Sequence, residues 1–150
     1  MKTVNKIVIT VFAKEDENQE KIKQALISLV PLDLEKEKIA IRQQTATGFQ
    51  DKQIRVFKIE LEKTRHANEF AKFLTSKLTS EQKELLLRQA ESRLDEELNF
   101  FIRLDKDRLL ESNELHITDS GNCYHITLSI AAFPSKREKA LETIEKLLKV

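Results

Sequence analysis

Polar and apolar residues alternate along several short stretches of the chain and recur at helical spacing in the segments between them. Val4 to Ala13 carries Ile7, Ile9 and Val11 on one side with Val8 and Phe12 on the other, which predicts a strand partly buried on both faces. Lys38 to Thr45 sets Ile39 and Ile41 against Arg42 and Gln44, and Gln53 to Leu61 gathers Phe57, Ile59 and Leu61 on one face. Between those two strands, Thr47-Gly48-Phe49-Gln50-Asp51 reads as a hairpin loop in which Gly48 can supply a positive φ. Leu98 to Leu104 separates Phe100, Ile102 and Leu104 from Phe101 and Arg103. Cys123 to Phe133 is the cleanest alternation, with Tyr124, Ile126, Leu128, Ile130 and Ala132 inward and His125, Thr127 and Ser129 outward. It is expected to form a hairpin with Glu114 to Thr118 through the turn Asp119-Ser120-Gly121-Asn122.

Helical stripes fill the gaps. Ile22, Ala25, Leu26 and Leu29 form one, opened by an Asp16/Gln19 capping box and closed by Pro31, which drives its predecessor out of the α region. Ala67, Phe70, Ala71, Leu74 and Leu78 form the next, and Thr79 with Gln82 caps another helix around Leu85 to Gln89. A short helix is expected around Asp107 to Leu110. Ser135 with Glu138 caps the last, whose stripe is Ala140, Ile144, Leu147 and Leu148. The order β-α-β-β-α-α-β-β-β-α gives an α+β fold of one domain over residues 1–150: a mostly antiparallel sheet with helices packed on one face and the other face partly open.

Composition refines this picture at a few points. A hydrophobic share of 40% supports a packed core in a chain of 150 residues. Charged residues reach 34%, yet 26 basic against 25 acidic side chains leave +1, so nucleic-acid binding must rest on local clustering. Cys123 is the sole cysteine, which rules out an internal disulfide. The chain shows neither a signal-like N-terminus nor an apolar run of membrane-spanning length, so a cytoplasmic location without membrane attachment is expected. Few glycines and dense Lys and Glu point to a thermophilic source.

Catalytic chemistry finds little support. His66, His116 and His125 lack a paired metal-ligand spacing and read as solvated or hydrogen-bonded surface residues, and Cys123 has no base nearby in sequence. Gly48 and Gly121 stand alone, outside any phosphate loop. The acids Asp95, Glu96, Glu97, Asp105 and Asp107 offer oxygen ligands for a divalent cation, which would make a metal-dependent nuclease. Arg93, Arg103, Lys106 and Arg108 are interleaved with them, and salt-bridged surface is the ordinary result. No catalytic residue, metal or cofactor is assigned.

The basic residues carry more information. Lys136 and Arg137 follow Ser135 into the first turn of the last helix, where cations oppose the helix dipole but free N–H groups suit an anion. Arg42, Arg103 and His125 project from the less apolar faces of their strands, and Phe101 shares a side with Arg103. A basic sheet face with an exposed aromatic is a known means of stacking and clamping single-stranded RNA.

Arg93-Leu94-Asp95-Glu96, Phe101-Ile102-Arg103-Leu104-Asp105-Lys106 and Ala131-Ala132-Phe133-Pro134-Ser135-Lys136-Arg137-Glu138 resemble the archaeal RNA-binding family described as predicted exosome subunits. Phe12-Ala13-Lys14-Glu15-Asp16 and the Gly48-Phe49 loop are similar to the same family's opening strand and hairpin. The resemblance implies a fold like that of ribosomal protein L5 and a noncatalytic RNA-binding protein assisting exosome-mediated RNA processing, with exosome subunits as partners. With the basic positions above, it points to Arg103, Lys106, Lys136 and Arg137 as phosphate contacts. The alternatives are a protein–protein adaptor or homodimer whose basic patch is incidental and, more weakly, the nuclease.

Overall fold

The computed structural model describes residues 2–149, with only the backbone of Phe49. Its elements run β1 (Val4–Lys14), α1 (Gln19–Ser28), β2 (Ile41–Thr47), β3 (Gln53–Leu61), α2 (Thr64–Lys77), α3 (Ser80–Arg88), α4 (Ala90–Arg93), β4 (Asn99–Asp105), α5 (Lys106–Ser112), β5 (Cys123–Ile130) and α6 (Arg137–Leu148), with a single 3-10 turn at Phe49–Asp51. This is the expected α+β class, with an antiparallel five-stranded sheet in the order β2-β3-β1-β5-β4. β1 is therefore the central strand.

Alternation decides which side each strand buries. Ile7, Ile9, Val11 and Ala13 of β1 are buried, as are Phe57, Ile59 and Leu61 of β3, Phe100, Ile102 and Leu104 of β4, and Tyr124, Ile126, Leu128 and Ile130 of β5. The residues between them stay half-buried or exposed, which fits a sheet covered on one face.

By density of contacts the chain divides into two compact units. One holds the residues through Ile7, Leu61–Ile102 and those from Thr127 onward; the other holds Val8–Glu60 and Arg103–Ile126. In the first, α6 packs on α2, α3 and α4. Asn68 of α2 receives hydrogen bonds from the Thr3 and Val4 amides through Oδ1 (3.0 and 3.3 Å) and returns one from Nδ2 to the Val4 carbonyl at 3.1 Å. Thr143 of α6 donates to the Ala131 carbonyl at 3.0 Å. In the second unit α1 packs on α5, and the buried Tyr124 hydroxyl donates to the Ile22 carbonyl at 2.8 Å. Burial, with the nearby Glu17 carboxylate, pushes that phenol well above its ordinary range.

Several boundaries differ from the sequence expectation for local reasons. Asn18, not Asp16, caps α1, accepting from the Lys21 amide at 3.1 Å. Lys38 and Leu98 adopt left-handed φ of 57° and 66°, so β2 and β4 cannot start there and begin at Ile41 and Asn99. The Thr79/Gln82 capping box forms as expected. Glu114 to Thr118 does not form a hairpin with β5. Ile117 makes one antiparallel bridge to Leu104 instead, flanked by bonds from the Asp105 amide to the His116 carbonyl and from the Thr118 amide to the Arg103 carbonyl. Gly48 carries no positive φ; Gln50 (59°) and Asp51 (60°) do. The constraint at Gly48 is space, since a Cβ there would lie 2.6 Å from Ile54 Cδ1 and force that side chain aside.

Candidate nucleic-acid interface

The second unit presents the uncovered side of the sheet. In register, β2 and β3 set Arg42 opposite Lys58 and Gln44 opposite Val56. These four side chains and Glu60 line a shallow depression. Two like charges directly across an antiparallel pair repel, so the arrangement works against sheet stability. Neither Arg42 nor Lys58 has an ion-pair partner among the described residues. Both are open to an anion.

On β1, the outward series Val8, Thr10 and Phe12 ends in an aromatic ring that is 52% exposed. Because β1 is the central strand, this ring stands in the middle of the face, with β3 and β2 on one side and β5 and β4 on the other. Phe101, the aromatic expected there from sequence, is half-buried and belongs to the other unit. Phe12 is the accessible ring. The signal was present in its place opposite Ile7, Ile9 and Val11; the sheet order that makes β1 central was not.

Towards β4, Arg103 projects outward and its guanidinium donates to the Asp119 carbonyl at 2.9 Å. One donor is thereby fixed, and the group holds the loop after the Leu104–Ile117 bridge. His125 lies near this charge. Burial first, and the Arg103 guanidinium second, lower its pKa from the ordinary value of 6.5. It is thus a neutral imidazole at physiological pH, fit to hydrogen-bond or stack but not to neutralise phosphate.

Other sequence expectations need correction. Lys106 is only 2% exposed. Its ammonium donates to the Phe12 carbonyl at 2.6 Å and to the Glu17 carboxylate at 3.2 and 3.3 Å, because α5 turns back immediately after β4. It is internal and cannot reach a phosphate. In the first unit, Ser135 does not cap α6: Lys136 is the cap residue, without a side-chain capping bond, while Ser135 Oγ donates to the Ala132 carbonyl. Lys136 is exposed. The Arg137 guanidinium instead donates to the Leu94 carbonyl at 3.0 Å and to the Glu91 carbonyl, tying α6 to the end of α4.

The remaining chemistry is structural. His66 is buried, not solvated, with Nε2 placed 3.2 Å from an Arg65 nitrogen. Cys123 is buried and its thiol pKa is raised, chiefly by desolvation, as expected for an inert cysteine. Asp95 closes a turn on the Glu97 and Asn99 amides, Asp105 caps α5 at the Arg108 amide, and Asp107 holds Asn122. Among the described residues no three His, Cys, Asp or Glu side chains converge as a metal site, and no helix is long and apolar enough to cross a membrane.

Fold and site together define an α+β protein with one helix-covered and one accessible sheet face. The model of a family described as RNA binding matches residues 6–132, and the chain belongs to that family. It is 26% identical over 142 residues to an RNA-binding protein of Pyrococcus abyssi, covering 95% of this chain and 92% of that one. Among solved structures it is similar to a DUF54 protein of Archaeoglobus fulgidus (TM-score 0.83, 28% identity, 96% of this chain and 99% of that one). It also resembles a DUF54 protein of Methanothermobacter thermautotrophicus (TM-score 0.77, 27% identity, 98% and 99%).

Proposed function

We propose that the protein is a noncatalytic, cytoplasmic RNA-binding protein that uses the accessible sheet face of its second unit. The observation that supports this best is the exposed Phe12 ring on the central strand, on the same face as Arg42 and Lys58, cations without an ion-pair partner among the described residues. An aromatic platform takes a base through its π-face, and flanking cations take the backbone. Arg103 and His125 continue the face, Arg103 as a cation and His125 as a neutral hydrogen-bonding ring. Family membership and the naming of the Pyrococcus relative as an RNA-binding protein support the ligand class. Assistance to exosome-mediated RNA processing is the finer reading, resting on the family resemblance. Copurification of exosome subunits from the native host is its test.

Fluorescence anisotropy with a labelled single-stranded RNA over a range of salt tests the site. Wild-type affinity should fall with salt. The Arg42→Ala/Lys58→Ala double variant should flatten the log–log dependence by roughly 1.4, at about 0.7 per lost phosphate contact on a single strand. An unchanged slope in a folded double variant would reject this face as the interface.

A further inference from the structure

Phe133 lies in the first unit, between β5 and α6, and is 96% exposed. Among the described residues, only it and Phe12 are exposed large hydrophobic side chains. Its loop is nevertheless firmly tied. The Ala131 amide donates to the Thr3 carbonyl at 2.9 Å and the Ala131 carbonyl accepts from Thr143 at 3.0 Å. Further along, the Lys136 amide donates to the Pro134 carbonyl at 2.8 Å. Arg137 then clamps the start of α6 onto the Leu94 and Glu91 carbonyls. A fixed backbone on both sides presents the ring without asking the chain to order itself on binding, a cost that otherwise subtracts from affinity.

Three residues on, Lys136 is exposed and has no ion-pair partner among the described residues. It occupies the cap position of α6, where Ser, Thr, Asp or Asn would stabilise the helix and a cation opposes its dipole. Helix stability explains neither side chain. A protein partner fits poorly as the reason, because specific interfaces bury broad contiguous surface and Phe133 is a lone ring. An aromatic ring beside one cation is instead what a single unpaired nucleotide requires: a π-face for the base and a positive charge for its phosphate.

We infer that Phe133 and Lys136 form a second RNA contact, in the first unit, at which Phe133 stacks on an unpaired base and Lys136 meets the adjoining phosphate. This rests on the RNA-binding reading above and adds a second place at which an unpaired nucleotide is held.

The chain contains no tryptophan, so Phe133→Trp installs a single indole at this position. Its fluorescence should be quenched by a single-stranded oligoadenylate, and not by a duplex RNA of matching length or by heparin. Phe133→Ala should weaken oligoadenylate binding roughly fivefold to a hundredfold, the range for one lost stacked base. The salt slope should stay unchanged, since stacking releases no counterions, whereas Lys136→Ala should lower it by about 0.7. Circular dichroism of each variant checks the fold, which a side chain this exposed should not disturb. Wild-type affinity retained in Phe133→Ala, or equal quenching by duplex, overturns the inference and leaves the RNA-binding reading in place. Failure of the wild-type protein to bind any RNA at low salt removes both.

Discussion

The ammonium of Lys106 donates to the carbonyl oxygen of Phe12 at 2.6 Å, so a buried cation holds the backbone of the residue whose ring is presented on the outer face of the sheet. Glu17 completes the arrangement at 3.2 and 3.3 Å and supplies the opposite charge. The Lys106 side chain is 3% exposed and that of Glu17 25%, so the pair is largely desolvated. Lys106 is therefore enclosed and paired, and it fixes the Phe12 backbone from inside the fold.

Replacing it should show this. Lys106→Ala leaves the Phe12 carbonyl and the Glu17 carboxylate without their donor, and removing one partner of a buried charge pair is costly. The expected loss is about 2–4 kcal/mol, discounted for the partial exposure of Glu17 and read from urea unfolding. Bound to RNA at a temperature where it is folded, the variant should keep the wild-type salt slope. A lower slope at wild-type stability would restore Lys106 as a phosphate contact.

Lys136 and Arg137, adjacent in sequence, should separate cleanly. Arg137→Ala removes two guanidinium–carbonyl bonds and should destabilise the protein by about 1–2 kcal/mol. Lys136→Ala should be neutral or slightly stabilising, by up to about 0.5 kcal/mol, because a cation leaves the helix start. Equal stability of the two variants would contradict the anchoring role of Arg137.

The pH dependence of stability follows from His125. Its folded-state pKa is lowered, by burial and then by Arg103, so in acid the unfolded chain takes up the proton more readily. The His125 contribution is thus fully present above the unfolded value of about 6.5 and is lost as pH falls towards the lower folded value. Unfolding midpoints from pH 8 to pH 5 should drop on the acid side, and His125→Gln should flatten that drop. An unaltered profile in the variant would assign the acid sensitivity elsewhere.

Much of the fold was legible because alternation needs only neighbours in sequence. β3 follows directly from Gln53–Leu61 and most of β5 from the Cys123–Phe133 alternation, although the strand stops at Ile130, and the Thr79/Gln82 box marks its helix without tertiary help. What escaped depends on partners far along the chain. Lys106 and Arg137 look like surface cations until the fold returns them to the carbonyls of Phe12 and Leu94, 94 and 43 residues away. Lys58 was hidden in the same way: its alternation is visible, but the pairing with Arg42 needs the hairpin register. Phe12 required the sheet order, since a ring on an edge strand would mean less than one at the centre.

β1, β3, β4 and β5 each contribute residues to both compact units. Opening either unit alone would break β1, β4 and β5 in mid-course and detach the last residue of β3, so a single cooperative transition is expected. Calorimetric and van't Hoff enthalpies should agree. Two resolved heat-absorption peaks would show that the units unfold separately.

The sheet face is tested most directly at Phe12. Its ring is exposed while its carbonyl is held, so Phe12→Ala removes the platform and leaves the Lys106 bond in place. Anisotropy with single-stranded RNA should show a loss of about 1–3 kcal/mol in binding free energy, the worth of one stacked base, with an unchanged salt slope and near-wild-type stability. Phe12→Trp should restore or exceed wild-type affinity. Wild-type affinity in a folded Phe12→Ala variant would contradict RNA recognition by this face.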